Sequence, residues 1–233
     1  MTATNNLDRI YKKFFTRVFP DLAAFLSQDL IESNTVLDMG CGNRPSPVFS
    51  VFMRLPYRGF FVGADIFRPY LLNTQPVKSY ETYVLCDVLA NPFLEKSVDV
   101  VVLGSIIEHL SKDDGLRLIS LCERIAMKRI IAVVPNGFCP QDMYDGNVHQ
   151  KHLSYWDGKM MNSLGFHVMG VNGLKFLRGS KGVPIIKPKL LGDILCRITQ
   201  LLAAFNSRWA FDLYCIKNVT PKNSTFPVML LEK

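Results

Sequence analysis

The stretch Asn34-Thr35-Val36-Leu37-Asp38-Met39-Gly40-Cys41-Gly42-Asn43 decides the fold. An apolar strand centred on Val36 and Leu37 runs into Asp38 and then a Gly-x-Gly turn. Two glycines at that spacing let the backbone bend sharply and let a ligand approach where a Cβ would collide. A dinucleotide fingerprint would need a third glycine at position 45, for close helix–strand packing beside a pyrophosphate. Pro45 stands there, and Asp38 sets a negative charge where a pyrophosphate would approach. The turn therefore suits a ligand with cationic groups and no phosphate, which argues against an NAD oxidoreductase.

Downstream, Pro47 to Leu55 reads as the first crossover helix, begun by prolines. Arg58 to Asp65 is a second strand ending in a carboxylate. Asp65 follows Gly42 by 23 residues, close to the roughly 20-residue interval of an acid that accepts hydrogen bonds from ribose hydroxyls. The other reading of Asp65 is a helix N-cap, with Ile66 and Phe67 following. Tyr83 to Val88 is a third strand, carrying Cys86 and Asp87 near its end. Asn91-Pro92-Phe93 turns the chain into Val98–Leu103, nearly all apolar, as in a strand covered on both faces. Gly104-Ser105 ends that strand. Ile106 to Met127 is expected as a helix with Ile107, Leu110, Leu118 and Leu121 inward and a break near Ser111-Lys112-Asp113. Arg129 to Val134 is a fifth strand, stopped by Pro135-Asn136-Gly137.

Upstream, residues 7–31 read as amphipathic helices. Leu7, Ile10, Tyr11, Phe14, Phe15, Val18 and Phe19 form one apolar stripe. Pro20 interrupts it, and Asp21 can cap a second helix through Leu30. A lid over a ligand cleft is the expected role, with membrane-surface contact as the alternative. Strands alternating with helices imply a parallel sheet with right-handed crossovers, with ligands beyond the carboxyl ends of the strands. Asp38, Asp65, Asp87 and Gly104 stand at four such ends in succession.

At 233 residues, 48% apolar and 20% charged, the chain suits one globular domain with a substantial core. Six scattered cysteines without Cys-x-x-Cys or Cys/His pairing argue against a zinc site or a disulfide framework, and no metal is expected. Charges interrupt the N-terminus before any apolar core develops, and no stretch reaches the ~18 apolar residues of a membrane span. A cytoplasmic location follows as the expectation, with peripheral membrane contact as its extension. Charge is uneven: residues 1–150 hold 15 Lys and Arg against 16 Asp and Glu, and residues 151–233 hold 12 against 4. A basic final third suits phosphate, anionic lipid or nucleic acid, or is simply a solvated face.

With these features together, residues 34–137 resemble class I S-adenosylmethionine (SAM)-dependent methyltransferases. The resemblance rests on Asp38-Met39-Gly40-Cys41-Gly42, Asp65, Cys86-Asp87 with Pro92-Phe93, and Glu108-His109-Leu110. It implies an α/β fold: a doubly wound, Rossmann-like, mostly parallel seven-stranded sheet with helices on both faces and an antiparallel C-terminal hairpin. Phe166–Val171 and Phe211–Lys217 suit the hairpin strands. The whole of 1–233 would be one methyltransferase domain. Within it the resemblance implies a helical lid (1–31), a SAM-binding core (34–137), an acceptor loop (138–160) and a basic helical insertion (173–209).

Carried over by position, Asp38 and the backbone of Gly40, Cys41, Gly42 and Asn43 would hold the methionine portion of SAM. Asp65 and Ile66 would meet the ribose, and Cys86, Asp87 and Val88 the adenine edge. Gly104, Ser105 and Ile106 would line the sulfonium, and S-adenosylhomocysteine would be the product. Val134-Pro135-Asn136-Gly137, Asp145-Gly146-Asn147, His152-Leu153-Ser154 and Trp156 also resemble a subgroup of small bacterial and archaeal methyltransferases. That subgroup is often linked to cell-surface glycan or lipid pathways.

Methyl transfer from a sulfonium needs positioning and exclusion of water, and a base only where the acceptor must lose a proton. His109, His149 and His152 are the candidates, since an imidazole titrates near neutrality. His109 also suits a capping or cofactor-packing role. Gln141 to Tyr155 has no hydrophobic period, and Tyr144, Tyr155 and Trp156 favour an ordered acceptor loop over disorder. Lys175, Arg178, Lys181, Lys187, Lys189 and Arg197 charge the insertion, where Leu190–Phe205 reads as one amphipathic helix. The expected acceptor is a small molecule, a glycan or a lipid-linked precursor. RNA methylation and a non-catalytic SAM-fold binding protein are the alternatives, and the chain is expected to be a monomer or a homodimer.

Overall fold

The computed structural model describes residues 22–43, 59–74, 80–179 and 182–219. The expected stripe Leu7–Phe19 and the crossover helix Pro47–Leu55 lie outside these residues. Seven strands form one sheet: β1 (Thr35–Met39), β2 (Phe60–Asp65), β3 (Thr82–Leu85), β4 (Val98–Gly104), β5 (Ala126–Pro135), β6 (His167–Leu174) and β7 (Ala210–Asn218). Their order is β3-β2-β1-β4-β5-β7-β6. The first five run parallel, and β7 pairs antiparallel with both β5 and β6. The expected architecture is present, antiparallel C-terminal pair included. Strand order reverses between β1 and β4, so the ligand-binding switch point lies beyond their carboxyl ends.

Period-two alternation divides the core between two faces. Leu37, Met39, Val101 and Leu103 face one way, onto Leu118, Cys122 and Ile125. Val36, Val100, Val102 and Ile131 face the other, onto Leu22, Leu26 and Leu30. The latter three are the buried i, i+4, i+8 stripe of helix α1 (Leu22–Leu30). Asp29 of α1 accepts from Arg129 Nη1 (2.9 Å) and from the Tyr214 hydroxyl (2.6 Å), tying the helix to β5 and β7. The described part of the expected 1–31 lid is therefore a helix packed flat on the sheet. Its leucines find more apolar surface there than a cleft mouth offers.

A short helix α2 (Arg68–Thr74) follows β2. The helix expected over 106–127 breaks as anticipated, into a 3-10 turn (Ile107–His109) and helix α3 (Lys112–Ile125). The Ser111 hydroxyl accepts from Asp114 N and fixes the start of α3, while Asp113 and Asp114 favour its positive end. β5 begins directly where α3 ends. Helix α4 (Gly158–Ser163) precedes β6, capped by Asp157.

The helix expected over Leu190–Phe205 is two, α5 (Lys189–Ile198) and α6 (Gln200–Phe205), parted at Thr199. Buried Gln200 divides them by reaching into β6, accepting from Gly173 N and donating to Gly170 O, both 3.0 Å. The approach is so close that a Cβ on Gly173 would lie 2.1 Å from Cys196 O. Among the described residues, no helix is long and apolar enough to cross a membrane.

Candidate functional site

The turn after β1 is welded to the end of β2. Gly40 N and Cys41 N both donate to Ala64 O, at 2.7 and 3.0 Å. Gly40 takes φ +72°, which a side chain would resist, and a Cβ there would lie 2.6 Å from Ile106 Cδ1, just past the end of β4. Gly42 N donates to Asp65 Oδ2 (2.9 Å), and Phe67 N to Oδ1 (2.8 Å). Asp65 thus closes a local turn before α2 and also braces the glycine turn. Each carboxylate oxygen keeps a further lone pair. Burial pushes the Asp65 carboxyl up, opposed by the backbone N–H groups and by the nearby His149.

Beyond these strand ends opens a cleft of about 180 Å³. Of the sequence-predicted ligand contacts, Gly40, Asp65, Ile66, Asp87, Val88, Ser105 and Ile106 line it. Asp87 is set by a turn in which its Oδ1 accepts from Leu89 N (2.9 Å). Ser105 bends the chain out of β4 at φ +58°, its N–H donating to Val133 O (2.8 Å). The other expected contacts, Cys41, Gly42, Asn43, Cys86 and Gly104, are not among its lining residues. The Cys41 thiol is pushed up by burial and by Asp38, and is inert as a nucleophile.

Asp38 lies under the cleft and not in its wall. It shares the Val36 face of β1, is 1% exposed, and accepts from the Tyr80 hydroxyl at 2.5 Å through Oδ2. Among the described residues its Oδ1 has no partner. Burial raises its carboxyl to about 7; the Tyr80 bond works against this and the Asp65 charge adds to it. The strand's alternation was the signal for this placement, because Leu37 and Met39 already claim the opposite face.

The three histidines come together at the other wall. His109 and His149 line the cleft, and His152 stands beside His109 with ring centroids 4.7 Å apart. Burial lowers His109 to about 4, with the neighbouring His152 adding to the effect, and burial also lowers His152. Both are neutral at pH 7. His109 is a weak base there, since efficient proton abstraction needs a pKa near the working pH. Glu108, next in the 3-10 turn, is fully buried and raised to about 8 by desolvation, with a hydrogen bond from Ser105 opposing.

Sequence reasoning missed Leu89, Leu110, Asn147 and Gln150 in the cleft lining. Asn147 and Gln150 belong to the expected acceptor loop, which is ordered and anchored. Gly137 N donates to Trp156 O (2.7 Å), and Leu153 N to Glu108 O (2.8 Å). Trp156 is buried against Gly115, where a Cβ would lie 2.5 Å from the indole. In the basic insertion, Arg178 is occupied by the fold. Its Nε donates to Asn172 O (2.7 Å) and its guanidinium covers the Phe211 ring.

No protein-family model matches the sequence, and no curated protein matches it. Solved structures do. A SAM-dependent methyltransferase from Archaeoglobus fulgidus aligns over 89% of this chain and 99% of its own, at 17% identity and TM-score 0.50. The N-methyltransferase NodS from Bradyrhizobium japonicum aligns over 90% and 96%, at 10% identity and TM-score 0.52. The 1,6-didemethyltoxoflavin-N1-methyltransferase from Burkholderia thailandensis, solved with 1,6-didemethyltoxoflavin and S-adenosylhomocysteine, aligns over 94% and 92%, at 14% identity and TM-score 0.51. The chain therefore has the Rossmann-like fold of class I SAM-dependent methyltransferases.

Proposed function

We propose that this protein is a SAM-dependent methyltransferase acting on a small-molecule, glycan or lipid-precursor acceptor. The observation that carries the reading is the braced Asp65 carboxylate beside the Gly40–Gly42 turn, in a cleft at the switch point of this sheet. The residues fit the cofactor. Asp65 offers lone pairs to a ribose diol, and Asp87 with the Val88 backbone offers a polar edge to an adenine. The Gly40 turn and Ser105–Ile106 would flank the methionine portion and the sulfonium, with Asp38 supporting the turn from below. When bound, SAM supplies an activated methyl group with its leaving group already attached.

The chain's own contribution is orientation and dryness. Ile106, Val88, Leu89 and Leu110 provide apolar wall, and the acceptor loop closes the remaining side with Asn147, His149 and Gln150. A preformed cleft holds reacting groups in line without further reorganisation. For an RNA acceptor the insertion offers the exposed Lys175, Lys187 and Lys189, while Arg178 is committed to Asn172 and Phe211. Calorimetry with S-adenosylhomocysteine tests the reading. Micromolar binding is expected, weakened at least tenfold, or ~1.4 kcal/mol, by Asp65→Ala. A wild-type protein that binds neither SAM nor S-adenosylhomocysteine would overturn it.

A further inference from the structure

Three ligand-type side chains converge where the 3-10 turn after β4 meets the acceptor loop. Glu108, His109 and His152 each bring one potential ligand atom within 4.8 Å of the other two. Backbone contacts fix the pairing of turn and loop. Leu153 N and Ser154 N donate to Glu108 O at 2.8 and 3.1 Å, and Ser154 Oγ donates to Ile107 O at 3.1 Å.

The imidazoles are oriented in the way that metal ligation requires. His109 Nδ1 faces Lys151 O at 3.3 Å, and His152 Nδ1 makes a short contact to Cys139 O. A carbonyl oxygen only accepts, so the Nδ1 that faces it carries the proton in each ring; Gln150 O also faces the His109 ring. Ligating histidines characteristically give their second N–H to a backbone carbonyl in this manner. Glu108 is 3% exposed, and among the described residues its Oε2 has no partner. A buried carboxyl oxygen without a partner beside two imidazoles is relieved by a proton or by a cation held between them.

We propose that Glu108, His109 and His152 form a divalent transition-metal site at the rim of the cleft. Two imidazoles and one carboxylate suit Zn²⁺, Co²⁺ or Fe²⁺ better than Mg²⁺ or Ca²⁺, which favour all-oxygen shells. Bound at about 2.1 Å, tetrahedral ligands lie roughly 3.4 Å apart, so side-chain rotations of about an ångström close the site. Three protein ligands leave coordination open, and His109 lines the cleft. The open position therefore suits an oxygen of the acceptor, a hydroxyl or a diol. That last clause rests on the methyltransferase reading, while the metal site itself does not.

The test uses full-length protein stripped with chelator and titrated with Co²⁺, followed by visible absorption and calorimetry. One Co²⁺ per chain is expected, displaced by Zn²⁺ and not by equimolar Mg²⁺. Glu108→Gln and His152→Ala should each weaken Co²⁺ binding at least tenfold, and Asp142→Asn should leave it unchanged. Acetohydroxamate, a bidentate oxygen ligand, should shift the Co²⁺ spectrum. S-adenosylhomocysteine binding is measured on the same preparations. Cofactor binding without any Co²⁺ binding by the wild-type protein would overturn the metal site and spare the methyltransferase reading. Co²⁺ binding without cofactor binding would do the reverse. Equal Co²⁺ affinity in the Glu108→Gln/His152→Ala double variant would also overturn the site, as would an unshifted spectrum for its open position.

Discussion

Asp38 and Glu108 make an instructive pair. One lies under the turn after β1 and the other in the turn after β4, both are nearly inaccessible, and each leaves one carboxylate oxygen unpartnered among the described residues. Burial raises both, Asp38 to about 7 and Glu108 to about 8. Their surroundings differ. Asp38 meets a hydroxyl, a thiol and a second carboxylate, from Tyr80, Cys41 and Asp65, so only a proton relieves its charge. Glu108 meets two neutral imidazoles, so a cation can do so as well. Equal burial thus gives one acid a scaffold role and the other a ligand role; the neighbours decide.

The largest expected effect tests the scaffold side. Asp38 titrates near 3.8 when unfolded and near 7 when folded, so between those values the folded chain holds the extra proton. Its favourable contribution is complete below about pH 4 and is lost as pH rises through about 7. The full loss is on the order of 4 kcal/mol, at about 1.4 kcal/mol per pH unit. Urea denaturation at pH 5 and pH 8 should show the wild-type protein losing on the order of 3 kcal/mol more than Asp38→Asn. A parallel loss in both proteins would remove the distinction between the two acids.

Tyr80→Phe sharpens the same side with a smaller effect. It deletes the donor to Asp38 Oδ2 and leaves both oxygens of a buried carboxylate bare. A loss of about 1–3 kcal/mol is expected at pH 8, with less at pH 5, where Asp38 is protonated. Co²⁺ affinity should not move, because Tyr80 packs around Asp38 and Gly63 and not against the imidazoles. A weakened Co²⁺ site would show the two acids to be coupled.

The sequence's reach into this site follows the range of its interactions. Strands ending in Asp65 and Gly104 were legible because local apolar runs and their stops carry that information, whereas the third strand, expected over Tyr83–Val88, stops at Leu85 and leaves Asp87 in the turn that follows. The Gly42-to-Asp65 interval, read as placing an acceptor for ribose hydroxyls, spans a hydrogen bond between the two residues themselves, which the sequence did not announce. Asp38 was placed by its neighbours in the motif, when alternation with Leu37 and Met39 set its direction. Glu108 and His109 were visible as a dipeptide, but their meeting with His152 depends on Leu153 and Ser154 docking on the 3-10 turn, a tertiary event. Asn147 and Gln150 enter the cleft for the same reason. Arg178 read as free charge because its partners, Asn172 and the Phe211 ring, come from two separate strands.

The smallest expected effect tests how the ligand side is held together. Lys112, at the start of α3, lies 3.3 Å from the centroid of the Trp156 ring and donates to Tyr155 O at 2.9 Å. Trp156 in turn donates to Ser154 Oγ at 3.0 Å, and Ser154 holds Ile107 O beside Glu108. One ammonium therefore clamps the loop that carries His152 to the turn that carries Glu108. Lys112→Met keeps most of the aliphatic stem and removes the charge, so about 1 kcal/mol of stability should be lost. Because the loop and not the Gly40 turn is loosened, Co²⁺ binding should weaken severalfold while S-adenosylhomocysteine affinity and the pH response at Asp38 stay as they were. A variant that lost cofactor affinity in step with Co²⁺ affinity would mean that the loop holds both ligands, and the contrast between the two walls of the cleft would fail.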